Sequence, residues 1–171
     1  MRLFVLAFSS LVLALAGCAT NYTPPTSGDT ATVRFVVPQA QALAANRFTG
    51  YPSAACEAPV SIGVIGGVGR WSEEPPSTLP GADTVPPMTS LERVLPAGVP
   101  YMATAVSHAF GSYCAMTALF QLAPGGQYEL MITSGGGECR GRMSRLSLGG
   151  DGKVVRTPHP VQQREVCTKG Q

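Results

Sequence analysis

Four cysteines, Cys56, Cys114, Cys139 and Cys167, are the side chains of this 171-residue sequence best suited to do chemistry. Their number is even and their spacing wide, which fits two disulfides in an oxidising compartment. Zinc is the rival ligand. The sequence has no C-x-x-C pair and only two histidines, so no metal-ligand set is expected. His108 sits in SHAFGS and His159 precedes a proline, and a Ser-His-acid triad would need a positioned nucleophile beside one of them. No G-x-S-x-G elbow and no H-E-x-x-H helix is present, so both histidines are expected in loops. Glu73 and Glu74 are adjacent in a proline-rich stretch, whereas paired glycosidase acids must face each other across a cleft. The run GVIGGVGR at residues 63–70 lacks both the G-x-G-x-x-G spacing and a P-loop lysine, and fits a bulged strand end. No catalytic residue and no cofactor is therefore expected, and the chain does not read as an enzyme.

The elements that would position these residues begin after a targeting segment. Residues 1–20 read MRLFVLAFSSLVLALAGCAT, with Arg2 ahead of an apolar run from Leu3 to Ala16. That run suits a cleaved signal helix and falls short of the roughly 20 residues a spanning helix needs. Leu15-Ala16-Gly17-Cys18 resembles the lipobox of bacterial lipoproteins. The resemblance implies cleavage before Cys18, a signal peptide over 1–17, and a lipid-bearing Cys18 whose two or three acyl chains (palmitate among them) hold the chain to a membrane. One acyl chain binds only marginally, but two or more hold stably. Ala19 in place of Asp after the cysteine implies sorting to the outer membrane, facing the periplasm.

Cleavage before Cys18 leaves 154 residues, enough for one domain with a core. Charged residues make up 13% of the sequence, against roughly 25% in globular proteins, while 20 glycines and 15 prolines favour short strands joined by turns. Residues 18–138 carry a net charge of −4 and residues 139–171 one of +5. The basic end fits a solvated strand surface or contact with anionic lipid or polysaccharide. No nucleic-acid partner is expected in an envelope compartment, and no interleaved aromatic and basic residues point to one.

Residues 18–29 read as the lipidated cysteine and a flexible tether spanning roughly 18 Å. Residues 30–171 read as a single domain. Ala31, Val33, Phe35 and Val37 alternate with Thr32 and Arg34, a strand with one apolar face. Residues 39–46 look helical, and Val60, Ile62 and Val64 mark a second strand. Further strands are expected at 91–95, 100–106, 113–122, 127–132, 139–148 and 153–157, the later ones forming a meander turned at 124–126, 135–137 and 149–152. One sheet needs cover on its apolar face. The expectation is an all-β, antiparallel two-sheet β-sandwich of about seven or eight strands, with a closed barrel the alternative. The meander brings Cys114 and Cys139 to one end, which favours Cys114–Cys139 with Cys56–Cys167 over Cys56–Cys114 with Cys139–Cys167.

The stretch from Cys114 to Arg145, with its F-x-x-x-P-G-G-x-Y hairpin, is similar to small envelope lipoproteins of Gram-negative bacteria. The resemblance implies an envelope β-domain and transfers no residue role beyond Cys18. Function is thus expected to be a non-catalytic binding or structural domain meeting an envelope protein or polysaccharide. An inhibitor of an attacking enzyme such as lysozyme is the alternative, using residues 71–88 or 134–138 as an inserting loop. Trp71, which opens the first of these, is expected as a core residue under the loop and is a contact residue only if exposed. A hydrolase using His108 ranks last.

Overall fold

Alternation of apolar and polar residues, with glycine and proline between, divides the body into ten strands. A computed structural model describes residues 22–38, 45–67, 75–86, 89–109, 112–135 and 138–167. The signal segment, Cys18, Glu73, Glu74 and Trp71 fall outside the described residues. The strands are β1 (Thr30–Val36), β2 (Ala45–Tyr51), β3 (Val60–Ile65), β4 (Ser90–Pro96), β5 (Pro100–Ala109), β6 (Ser112–Gln121), β7 (Gln127–Gly135), β8 (Glu138–Leu148), β9 (Val154–His159) and β10 (Gln162–Arg164). They form two five-stranded sheets, ordered β4-β1-β7-β8-β9 and β10-β6-β5-β2-β3. The protein is an open, mostly antiparallel β-sandwich.

Apolar residues from both inner faces fill the space between the sheets. Val33, Phe35, Leu91, Leu95, Leu130 and Met143 come from the first sheet, and Phe48, Ile62, Tyr101, Met116 and Phe120 from the second. Phe35 and Phe48 meet with ring centroids 5.2 Å apart, and Tyr101 and Phe120 at 5.9 Å. The open sides of the sandwich are pinned by polar contacts. On one side Arg93 of β4 donates from Nε to the Ile62 carbonyl of β3 at 2.7 Å. On the other, His159 of β9 lies 2.8 Å from the Gln121 carbonyl of β6, a bond that requires the proton on Nε2 because the carbonyl can only accept.

Two strands depart from the sequence reading. Ala45 and Asn46, expected at the end of a helix, open β2; residues 39–44 lie outside the described region. The inward positions of β2 are Asn46, Phe48 and Gly50, which give no apolar alternation. Asn46 nonetheless belongs inside, because its Nδ2 donates to the Ile65 carbonyl at 3.1 Å. Gly50 is required by close approach: a Cβ there would lie 2.0 Å from the Tyr101 hydroxyl. The other addition, β10, is polar throughout and is a strand only through its pairing with β6.

The meander is also redistributed. The turn after β6 does not fold β7 back beside it but carries the chain from one sheet to the other. There β7 pairs in parallel with β1 and antiparallel with β8. The crossover is fixed by backbone bonds from Gly125 to the Thr30 carbonyl and from Thr32 to the Gly126 carbonyl, and by the Ala123 amide donating to the Tyr128 hydroxyl at 2.9 Å. The Cys114–Cys139 bridge therefore joins β6 and β8 across the core, between sheets, and not along one sheet. Its partners are those favoured by the sequence, brought together by a different path.

The chain is seated from Tyr22 onward. Tyr22 packs against the core edge, its hydroxyl donates to the Val94 carbonyl, and the Arg93 guanidinium lies 5.5 Å from its ring centre. Burial pushes the Tyr22 hydroxyl up to about 12, against the opposing pull of Arg93. A segment read as free tether thus touches the sandwich at Tyr22.

The crossover makes a direct prediction. A Cβ at Gly126 would meet the Tyr128 ring at 2.5 Å and the Ala123 carbonyl oxygen at 2.9 Å. Gly126→Ala is expected to destabilise the fold by about 1–3 kcal/mol, and Tyr128→Phe by about 1 kcal/mol through its lost hydrogen bond. Urea unfolding of both variants checks this; a neutral Gly126→Ala would show that the corner is looser than described.

Candidate functional site

A sandwich has two outer faces, and in this chain each is covered by a segment with little structure of its own. On the first sheet the neighbouring outward residues are Glu92 of β4, Arg34 of β1 and Glu129 of β7, aligned by register. Arg156 of β9 reaches Glu129 across β8. Glu129 accepts from Arg34 at 2.7 Å and from Arg156 at 2.8 Å. The chain at 75–86 lies over these groups. Glu92 accepts from Ser77 and Thr78, Arg34 donates to the Leu79 and Pro80 carbonyls, and Arg156 donates to the Thr84 hydroxyl. Arg34 is fully buried and Glu129 nearly so.

Two arginines facing two carboxylates balance in charge, and each buried charge has hydrogen-bond partners, as burial demands. Burial alone would raise the Glu129 carboxyl; hydrogen bonds and charge from Arg156 and Arg34 outweigh it and hold the group below its ordinary value. The cluster is filled by its own side chains. Its chemistry is that of a clamp, holding residues 75–86 against β1, β4 and β9.

The outer face of the second sheet is covered differently. Tyr51 and Met102 pack with Cys167 in a small apolar cluster, joined by Cys56 and Leu119. The Cys56–Cys167 bridge ties the C-terminal segment to the loop after β2. Within the face, the Thr104 and Thr117 hydroxyls share a hydrogen bond of 2.7 Å, and the Cys167 amide donates to Thr117 at 3.3 Å. The cover is incomplete. A cleft of about 550 Å³ remains, with Met102 and Leu119 on its floor, Ala54 and Cys56 on one wall, and residues 163–165 on the other. Arg164 and Glu165 give that wall both charges. Near this floor the Tyr51 hydroxyl is buried without a hydrogen-bond partner among the described residues. Cys56 and Ala58, at φ 55° and 49°, hold left-handed conformations that non-glycine residues rarely adopt.

The remaining residues singled out by sequence fall as follows. His108, on β5 and not in a loop, meets Tyr113 edge-on at 5.1 Å, and its ring makes no hydrogen bond to a serine or carboxylate among the described residues. His159, on β9, packs against Tyr128 at 4.8 Å. The glycine run begins in β3, where the pairing with β2 shifts register between Phe48 and Thr49. Among the described residues no group of three or more His, Cys, Asp or Glu side chains is arranged to hold a metal, and no helix is long and apolar enough to cross a membrane. No family model, no curated protein and no solved structure matches the chain. Its chemistry must be read from its own residues.

The sequence reading missed the Arg34–Glu129–Arg156 cluster. Its two bonded pairs lie 95 and 27 positions apart, and a lone arginine on the polar side of a strand carries no sign that a loop will bury it. The cluster predicts a pH dependence. A carboxyl held below its unfolded value stabilises the fold at pH above about 4.3 and loses that contribution as pH falls through its folded value. Glu129→Gln is expected to cost about 3 kcal/mol at pH 7, because it strands two cations. The gap from wild type should shrink as pH falls through the folded value of Glu129; a constant gap down to acid pH would contradict the ion-pair account.

Proposed function

We propose that this chain is an envelope lipoprotein, anchored through acylated Cys18, whose β-sandwich is a non-catalytic binding module. The observation that carries the reading is the allocation of cysteines. The four cysteines of the body pair with one another, which suits an oxidising compartment and leaves Cys18, at the position lipidation requires, as the remaining thiol. An outer-membrane address facing the periplasm follows from Ala19 after the cysteine.

The contact surface in this reading is the cleft over Met102 and Leu119. An apolar floor with a few polar groups at its rim is the usual form of a binding site. The left-handed Cys56 and Ala58 beside it fit the tendency of strained backbone to sit where a surface is shaped for contact. The partner is an envelope protein or a polysaccharide carrying both apolar and hydrogen-bonding groups. Insertion of the 71–88 loop into an enzyme such as lysozyme is less favoured, because residues 75–86 are bound down on the first sheet.

Two experiments test the proposal. Wild type is expected to incorporate labelled palmitate and to sediment with membranes, whereas Cys18→Ser should do neither and should accumulate as precursor. A Cys18→Ser chain processed and retained like wild type would overturn the anchor. A photo-crosslinking residue at Leu119 should give an adduct of discrete mass in intact cells, and one at exposed Thr133 should not; no adduct at Leu119 would count against the cleft.

A further inference from the structure

The exposed large apolar side chains are unevenly placed. Among the described residues they are Val99, Tyr113, Leu148 and Val155, exposed by 46%, 55%, 64% and 45%. The strand registers locate them along the sandwich axis. Val33 pairs with Arg93 and with Tyr128, and Tyr128 pairs with Arg145. Three residues further toward one end, the same level is reached by Thr30, Pro96 and Leu148. Val99 sits in the turn between β4 and β5 at that end, and Val155, opposite Ser147, lies on the hairpin that carries Leu148. Tyr113 is the exception, close to the opposite end beside His108. Three of the four therefore share one end.

The anchor reaches that end most easily. Cys18 precedes Tyr22 by four residues, a span of at most about 14 Å. Tyr22 is bound at Val94, two residues from the Pro96 end of β4 and four from its Ser90 end. At about 3.4 Å per residue these are about 7 Å and 14 Å along the strand. A lipid at Cys18 thus reaches the plane of the Pro96 end with slack to spare. The Ser90 end uses the whole span.

We infer that the end bearing Val99, Leu148 and Val155 rests on the lipid bilayer, with the strands rising away from it; the inference depends on the lipid anchor proposed above. The acyl chains hold the protein to the membrane, and the apolar side chains orient it by dipping into the headgroup boundary. This end carries Asp29, Asp151 and Lys153, all exposed, so it has no cationic excess to draw it to anionic lipid. The orientation should therefore survive salt. The competing pose lays the exposed Arg140 and Arg142 of β8 flat on the surface, and that pose would weaken as salt screens the charges.

Tryptophan quenching distinguishes the poses. The full lipidated chain, whose one native tryptophan is Trp71, is reconstituted into phosphatidylcholine vesicles brominated near the headgroup end of the acyl chains. Leu148→Trp, Val99→Trp and Tyr113→Trp are each compared with the parent, and a non-reducing gel confirms both disulfides. The added fluorescence at positions 148 and 99 should lose most of its intensity, at low and high salt alike, while that at 113 is preserved. Equal or stronger quenching at 113, or quenching seen only with anionic lipid at low salt, would overturn the orientation while the anchor stands. Failure of the chain to float with the vesicles would remove the anchor, and the inference with it.

Discussion

Cys56 and Cys167 are separated by 111 positions, and their bridge holds a C-terminal strand that pairs with its sheet through three residues. Without the bond, little would keep β10 at the edge of its sheet beside β6, since its side chains are polar and exposed. Closing a loop of this length stabilises the folded state by about 4–5 kcal/mol in the chain-entropy picture, more than three pairs on an edge strand supply. The apolar cluster of Tyr51 and Met102, the cleft above it and the shape of the loop after β2 all depend on that closure. The first sheet meets the same demand by other means: a short proline-containing segment is held down by Arg34, Glu92 and Arg156. One face is closed covalently and the other electrostatically, because neither covering segment has an apolar stripe of its own.

This division accounts for what was legible in the sequence. Strands such as β1, β6 and β7 announce themselves, because every second residue faces a common core and must be apolar. The four cysteines announced a framework, and of the two pairings left open the structure holds the one favoured, Cys114–Cys139 with Cys56–Cys167. The path was misjudged because a Pro-Gly-Gly turn looks the same whether it closes a hairpin or passes between sheets. Parallel pairing of β7 with β1 depends on residues nearly a hundred positions apart, which no local pattern records. The inward residues Asn46 and Gly50 hid β2 for a related reason. One is satisfied by a distant carbonyl and the other makes room for Tyr101.

For the candidate site the limits are similar. Met102 and Leu119 lie on the outward faces of strands whose inward faces dominate the hydrophobic pattern, so neither stood out. Their burial arises from the C-terminal segment, and that segment is placed by a disulfide. The resemblance to a lipobox, by contrast, is local and lies wholly within residues 15–18. The proposed anchor, read from four consecutive residues, and a cleft assembled from three remote segments are joined by a short span of chain. With Tyr22 seated on the sandwich, that span would, under the proposed lipidation of Cys18, set how far the sandwich stands from the membrane.

The allocation of the five thiols is the claim on which this account rests, and peptide mapping of the membrane-extracted chain without reduction reads all five at once. The account predicts an acyl-modified peptide beginning at Cys18, together with linked peptides for Cys56–Cys167 and Cys114–Cys139. A chain still beginning at Met1 with an unmodified Cys18, or Cys18 bridged to any of the other four, would contradict it.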